Sequence, residues 1–552
     1  MEHILKEKLH QALLALGEEG VEPTLEYPAE LSHGDFATNV ALAAAKQAKT
    51  NPAELAEKIV AELGAIEGVE KIEVAGPGFI NFTLARKYFT DTVGGVDESF
   101  GKNESLKGKK VLIEKSAPNL FKPFHVGHLL NISVGESLSR LTRFSGADVV
   151  DVAYPSDISL GVAKAVWSVL KHGTEKELTI HAMGEAYVDG TTHYEASEQA
   201  KKEIEAINLE LNSAQPGAAW RVYEKGRELN LEYFKNIAAR LGSTFAGMFF
   251  ESESGSVGKK IVREHTPGVF QESQGAVIFK GAEYGLHTRV FITSQDLPVY
   301  ESKDIGLLKL KFETYNPDLS IVLTDVEQKQ YFEVIKKAAT LINERWGESS
   351  VYWQHGRVRF EGGKISSRYG NVPLAEDVIE KVKGIVAEKT KEGAPDVAEA
   401  VAIGALKYAF LRSGSGKNVV FDFETSVSVD GDSGPYLQYS SVRAKSVLEK
   451  AGISKNRNRI IDDTVAVPAE IATFERLLPR FPAVVERAAK QYEPHYVTTY
   501  LTELASAFNS WYAQEKIIGS EYEPYYLALV SAFAHTMKNG LWLLGIEAPE
   551  KM

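Results

Sequence analysis

The spacing of apolar positions changes several times along the chain, and the changes mark out its elements. Residues 109–115 (KKVLIEK) alternate apolar and polar around Val111 and Ile113, the period of two that a strand requires. After the loop SAPNLFKPF the period lengthens. Leu130, Val134, Leu138 and Leu141 recur at spacings of four, four and three, which predicts a helix beginning at Gly127. Arg140 and Arg143 near its end and Gly146 beyond it are stop signals. The apolar run at 148–153 reads as a second strand, so the segment is a strand–helix–strand unit.

Upstream, a helix is predicted over about 3–16, and Asn51-Pro52 opens another through Leu63 with Pro at its first position. Strand-like runs at 71–74 and 79–84 flank the turn Gly76-Pro77-Gly78. The stretch 94–109, rich in Gly and charge, reads as a linker. From about 109 to 375 strands and helices alternate as in a parallel α/β sheet, with further strands at 276–279, 288–293 and 319–323. A charged helical insertion interrupts this region at about 172–241. Helices then dominate, over 436–449, over 486–518 and in a last long helix ending at Leu544-Gly545. The predicted fold class is α/β and all-α multidomain: a small α+β N-terminal domain, a Rossmann-type parallel-sheet domain and a C-terminal α-helical bundle.

Composition narrows the function. A chain of 552 residues, 44% apolar and 25% charged, is ordinary for soluble multidomain proteins. No apolar run approaches the roughly 20 residues that span a bilayer, and the N-terminal MEHILKEKLHQALLAL mixes acids and bases unlike a signal peptide. Zero cysteines exclude disulfides, thiolate catalysis and Cys-held zinc or iron–sulfur sites, so a cytoplasmic location is expected. The net charge of −13 argues against loose, sequence-independent nucleic-acid binding, although local basic patches remain compatible with it.

Two short runs carry the candidate chemistry: His125-Val126-Gly127-His128, where the first strand turns into its helix, and Gly363-Lys364-Ile365-Ser366-Ser367-Arg368. A helix N-terminus offers free N–H groups and partial positive charge to a phosphate, and Gly127 lets a nucleotide approach the backbone. His125 and His128, three residues apart, would share a helical face and donate to phosphate oxygens. Taken singly, the first run could also be a pair of metal ligands and the second a solvated turn. Together they suggest a site that holds ATP by its triphosphate.

With those motifs placed, the chain resembles the class I aminoacyl-tRNA synthetases, and among them the arginyl-tRNA synthetases, over essentially its whole length. The two runs look like the two signatures of that class. GDFATNVAL (34–42) and GPGFINF (76–82) resemble the family's additional N-terminal domain, while GALKYAFL (404–411), FDFE (421–424) and GPYLQYSSVRA (434–444) resemble its stem-contact and anticodon-binding regions. The resemblance implies domains at 1–105, 106–375, 376–433 and 434–552. It implies attachment of L-arginine to tRNA(Arg) through an arginyl-adenylate, with ATP as substrate, Mg²⁺ accompanying the triphosphate, no protein-ligated metal, activation that requires bound tRNA, and a monomer. His125, His128, Lys122, Lys364 and Arg368 would stabilise the transferring phosphates, Lys122 standing in for the lysine that the wider class has at Arg368. Gly127, His355, Val358, Ser366 and Ser367 would join them in holding ATP. Asp304 with Tyr300 would grip the guanidinium, and Glu114, Asn119, His128 and Gln328 would hold the rest of arginine. Phe79 and Asn81 are candidates at the tRNA elbow; Tyr436, Arg443, Phe508, Asn509 and Tyr512 are candidates at the anticodon. Asp157, in YPSDISLGVAKAVW, departs from a pattern that usually has glycine before the aspartate.

Three rivals make different demands. A cysteine-specific synthetase would hold its substrate through a largely Cys-ligated zinc, which this chain cannot build. A small nucleotidyltransferase with the same loop would lack the long helical C-terminal region. A tRNA-binding scaffold would need none of the lysines, histidines and acids of the site.

Overall fold

The strand–helix–strand unit lies at the centre of a parallel sheet in the computed structural model, which describes residues 1–28, 30, 33–173, 178–361, 373–389, 395–453 and 465–552. These form two units, Met1–Phe100 with Ala444–Phe481 and Leu504–Thr536, and Gly101–Arg443 with Pro482–Glu503 and Met537–Met552.

In the first unit, β1 (Phe36–Thr38), β2 (Val69–Ala75) and β3 (Phe79–Leu84) form an antiparallel sheet with β3 in the middle. Asn51 caps the Pro52–Leu63 helix by accepting from the Ala53 N–H at 2.9 Å. Leu5, Leu9, Val40, Ala41, Ile59, Ile80 and Phe82 close the core. Residues from far along the chain complete this unit. Asp35 accepts from the Leu84 N–H at 2.8 Å and pairs with Arg476 at 2.5 Å. Buried Glu475 pairs with Arg86 and accepts from the Tyr525 hydroxyl at 2.5 Å.

The second unit contains β4 (Lys110–Ser116), β5 (Asp148–Ala153), β6 (Gly247–Met248), β7 (Gln271–Ser273) and β8 (Ala276–Phe279). It continues with β9 (Arg289–Ile292), β10 (Leu319–Asp325), β11 (Ser350–His355), β12 (Val358–Glu361) and β13 (Val419–Asp422). The main sheet has the order β11-β10-β4-β5-β6 and is parallel throughout. The strands predicted at 276–279 and 288–293 exist but do not join it. They form a separate antiparallel sheet with β7. The reason is local: Gln274 and Gly275, both at positive φ (49° and 79°), connect β7 to β8 as a two-residue hairpin, too short for a parallel crossover. The helix predicted over 486–518 is instead two, Phe481–Gln491 and His495–Gln514. Tyr492 at φ 57° and Pro494, which lacks an N–H, interrupt it, and Trp353 Nε1 donates to the Tyr492 carbonyl at 2.8 Å. The insertion is helical as predicted, over Ile180–Ala196, Glu198–Asn212 and Ala218–Arg240. Among the described residues no helix is long and apolar enough to cross a membrane.

Beneath the Val126–Phe144 helix lies a buried ion network. Lys115, with no exposed side-chain surface, reaches Glu136 at 2.7 Å and Asp151 at 3.3 Å. Arg140 Nε meets Glu136 at 2.7 Å, and Arg143 pairs with Asp151. Burial alone would raise the Glu136 carboxyl, but Lys115 and Arg140 outweigh it and hold the group down at about 2. The helix is thereby fastened to β4 and β5 at once. Its outer side is fastened too: Ser137 Oγ donates to the Leu543 carbonyl and Arg140 to the Trp542 carbonyl, each at 2.9 Å. Lys115→Met would leave the buried Glu136 and Asp151 with one cation each, Arg140 and Arg143, and the loss of one partner from such a network costs about 3–5 kcal/mol. The expected result is a large fall in the urea midpoint of unfolding; an unchanged midpoint would contradict this account of the network.

Candidate active site

His125 does not lie on the helix. With φ −122° and ψ 171° it is the N-cap, and its Nδ1 accepts from the Gly127 N–H at 3.2 Å. His128, in the first turn, completes a capping box: its Nδ1 accepts from the His125 N–H at 3.1 Å, bringing the ring centroids within 4.1 Å. The Val126 N–H donates to the Pro373 carbonyl at 3.2 Å and the His128 N–H to the His125 carbonyl at 2.9 Å. Both the shared helical face and the free N–H groups expected of this helix start are therefore corrected: the N–H groups of 125–128 are all engaged. Gly127 has a nearer purpose than nucleotide approach, since a Cβ there would meet the His125 ring at 2.9 Å.

Burial sets the charge of both rings, and the box sets their tautomer. Burial first, then the Lys122 charge, lowers His125 to about 4, and burial holds His128 well below the usual histidine value. Both are neutral at pH 7. A neutral imidazole that accepts at Nδ1 carries its proton on Nε2. The helix start thus presents two Nε2–H donors. Backbone bonds from Val126 to Pro373 and from Ala375 to Phe124 (2.9 Å) pin the chain just beyond the second motif against the first.

A cleft of about 700 Å³ opens at the carboxyl ends of β4, β10 and β11, the usual ligand position in an open α/β sheet. It collects Glu114 and Asn119 after β4, His125, Gly127 and His128 at the helix start, and Tyr300 and Asp304 one turn apart on the Tyr300–Tyr315 helix. Gln328 beyond β10 and His355 at the end of β11 complete the set. Three of its acids are matched with cations: Glu114 with Lys311, Glu251 with Lys303 at 2.5 Å, and Glu301 with Arg289 at 3.1 Å. Asp304 has no cation partner among the described residues and accepts from the Tyr331 hydroxyl at 2.5 Å. Burial, against the opposing Tyr331 bond and reinforced by Glu114 and Glu251, pushes its carboxyl up to about 7. A cationic ligand would reverse that shift.

His355 is the counterpart of the two donors. Its Nδ1 donates to the Gly356 carbonyl at 2.8 Å, which leaves Nε2 as an acceptor, buried and without a hydrogen-bond partner. Burial lowers its pKa, more than the Gly356 bond and Asp325 raise it. Asn131 Oδ1, also in the cleft wall, is likewise buried and unpartnered.

Some expected residues lie elsewhere. Lys122 is not in the cleft wall; its Nζ sits 5.9 Å from the Tyr187 ring centroid. Val358 belongs to β12, paired with Val419, and does not line the cleft. Lys364, Ser366, Ser367 and Arg368 lie outside the described residues. Phe508 is removed from the tRNA contacts: it is fully buried, stacked on Phe533 at 3.8 Å. Phe79, Asn81, Tyr436, Arg443, Asn509 and Tyr512 are all partly exposed. Asp157 proves to be a buried hub, accepting from Tyr223 and Arg227 at 3.0 Å and from Ser252 Oγ at 2.8 Å. Its loop is set by Ser156, which bridges to Asn119. Sequence reasoning missed Asn131, Glu251, Arg289, Glu301, Lys311 and Tyr331. Asn131 and Tyr331 stand three residues beyond His128 and Gln328, one helical turn along, which was an available signal.

Comparison with known proteins gives the family. Residues 96–423 match the family described as "tRNA synthetases class I (R), catalytic domain", residues 1–84 the "Arginyl tRNA synthetase N terminal domain" and residues 437–552 the "DALR anticodon binding domain". The chain has the catalytic domain of a class I aminoacyl-tRNA synthetase. Among curated relatives, the arginine–tRNA ligase of Clostridium perfringens is 31% identical over 558 residues, 97% of each chain. That of Clostridium acetobutylicum is 30% identical over 570 residues, 100% of this chain and 99% of its own. The chain belongs to the arginyl-tRNA synthetase family. The solved arginyl-tRNA synthetase of Thermus thermophilus, 23% identical and matched over 100% of both chains, shares its fold with a TM-score of 0.83.

The capping box makes a spectroscopic prediction. In ¹⁵N-histidine NMR at neutral pH, His125 and His128 should both show protonated Nε2 and bare Nδ1. His125 should hold that form until the pH nears about 4. An Nδ1–H tautomer in either ring would overturn the capping account.

Proposed function

We propose that this cleft activates L-arginine with ATP to arginyl-adenylate and pyrophosphate, and that the arginyl group then passes to the 3′-terminal adenosine of tRNA(Arg), releasing AMP. The observation that carries this reading is Asp304, a half-buried carboxylate in the cleft with no cation partner among the described residues, beside three acids that each have one. A guanidinium is planar, always charged and donates in a fixed fork, so it suits such a carboxylate better than an ammonium does. Tyr300, one turn away, would cover it, and Glu114, Asn119 and Gln328 would hold the α-amino end.

The arginine carboxylate attacks the α-phosphorus of ATP, and the bond from that phosphorus to the bridging oxygen breaks. Negative charge grows on the oxygens, and fixed donors lower the barrier. The Nε2–H groups of His125 and His128 would supply such donors without bringing charge, and His355 Nε2 would accept from the amino group of adenine. Lys122, Lys364 and Arg368 would balance the triphosphate, with Gly127, Val358, Ser366 and Ser367 about the nucleotide. Among the described residues no three acids or histidines converge as a metal site. Mg²⁺ would therefore be held by the triphosphate oxygens, where it neutralises the leaving pyrophosphate.

The same reading places the tRNA elbow on 1–105, with Phe79 and Asn81, the acceptor stem on 376–433, and the anticodon on 434–552, with Tyr436, Arg443, Asn509 and Tyr512. The protein would act in the cytoplasm as a monomer.

Two measurements test the centre of this proposal. His125→Ala should lower adenylate formation about 10²–10³-fold, the scale for removing one transition-state donor; wild-type turnover in the folded variant would refute its role. Asp304→Asn removes the charge facing the guanidinium, at a cost of about 3–5 kcal/mol, or about 10²–10³-fold in arginine use. Because the free carboxyl titrates at about 7, arginine binding to the unaltered chain should weaken as pH falls through that value, approaching tenfold per unit. Calorimetric titration from about pH 5.5 to about pH 8.5 should show this slope, absent in Asp304→Asn. Equal arginine affinity in the two proteins would remove Asp304 from the pocket.

A further inference from the structure

The Glu301–Arg289 pair is unlike the other ion pairs around Asp304. Both partners line the cleft, and the cation is itself a guanidinium, the group this site is read as binding. Arg289 meets Glu301 at 3.1 Å, and its guanidinium carbon lies 5.2 Å from the centroid of the Tyr331 ring. Its Nε is buried with no hydrogen-bond partner. Tyr331 in turn donates to Asp304 at 2.5 Å. Glu301 and Asp304 stand three residues apart on one helix face, so the four groups close a circuit: acid, guanidinium, phenol, acid.

We infer that Arg289 is a positioning residue that sets the specificity of the pocket: by neutralising Glu301 and packing on Tyr331, it leaves Asp304 as the carboxylate of this helix face available to a substrate guanidinium. The inference rests on the arginine reading above and extends it to residues outside the arginine-binding set. Its logic is charge matching. Without Arg289, Glu301 and Asp304 become unmatched acids on one wall. Two unmatched acids one turn apart on one helix face favour protonation of one of them, and a protonated carboxyl would put a donor where the guanidinium needs an acceptor. Without the Glu301 charge, Arg289 keeps its place beside Tyr331 but loses its partner. It then competes with substrate for Asp304. The other groups felt by Asp304 do not substitute: Glu114 and Glu251 add repulsion, Lys311 is taken by Glu114, and Tyr154 and Tyr352 are phenols kept neutral by burial.

The test is a mutant cycle in the full chain, read by ATP–pyrophosphate exchange with saturating tRNA. Arg289→Met and Glu301→Gln should each raise the KM for arginine about tenfold, the usual size of coupling between contacting charges, with smaller changes in kcat and in the KM for ATP. The double variant, in which neither charge is left over, should recover most of the loss. Losses that add in the double variant would assign the pair to packing alone and overturn the inference, as would a KM unchanged in both single variants. If Arg289→Met does not fold, Glu301→Gln decides: a raised KM for arginine supports the inference and an unchanged one overturns it. Asp304→Asn, measured alongside, separates the two levels. An unaffected Asp304→Asn protein overturns the arginine pocket and this inference with it, whereas a crippled Asp304→Asn protein with a flat cycle overturns the Arg289 role alone.

Discussion

Charge taken out of water must be matched, and in this protein that constraint holds the site in place. Lys115 has no exposed surface, yet it sits on the strand that carries Glu114 and leads to Asn119. It is tolerated because Glu136 and Asp151 reach it from the helix and from the next strand. The same contacts lock the helix that His125 caps and whose first turn carries His128. Packing of Leu130, Leu138 and Leu141 alone would hold that helix on the sheet, but apolar contact is non-directional and sets neither its rotation nor its height. The ion network supplies both.

The same bookkeeping, applied to the cleft, produces chemistry. Glu114, Glu251 and Glu301 have cations of their own, Asp304 has none among the described residues, and the histidines are stripped of charge by burial. The cleft therefore joins an unmatched carboxyl to several neutral groups with defined polarity: His125 and His128 as donors, His355 as an acceptor. Each polarity follows from one local hydrogen bond, an accepted backbone N–H in the first two and a donated carbonyl contact in the third. A transferring phosphate calls for donors held in place in advance, and capping bonds are a low-cost way to hold them because the helix start must be capped in any case.

Long-range ion pairing also defines the first unit. Asp35 and Arg86 lie in the N-terminal segment, and Arg476 and Glu475 lie far along the chain, yet each pair is buried or nearly so. Arg480 stacks on Tyr27 with its guanidinium carbon 4.1 Å from the ring centroid. A segment that reads as a free-standing α+β domain thus shares its unit with helices from the other end of the chain.

Much of this was legible from the sequence. The strand at 148–153, the helix after the first motif and the helical insertion follow from apolar periodicity, which is a local property, and local patterning survives folding when tertiary packing agrees with it. Tyr300, Asp304, Glu114 and Gln328 were legible through the resemblance, because the family motif carries them in order along the chain. What the tertiary structure decided is non-local or hangs on a single bond. Periodicity is blind to strand direction, so the pairing of β7, β8 and β9 turned on a two-residue hairpin. Two histidines at a helix start look alike in sequence, and only the capping geometry shows that one lies off the helix and that both carry their proton on Nε2. Nothing in the sequence says which of the acids and bases around the cleft pair. Proximity in three dimensions assigns the partners, and so leaves Asp304 without one among the described residues.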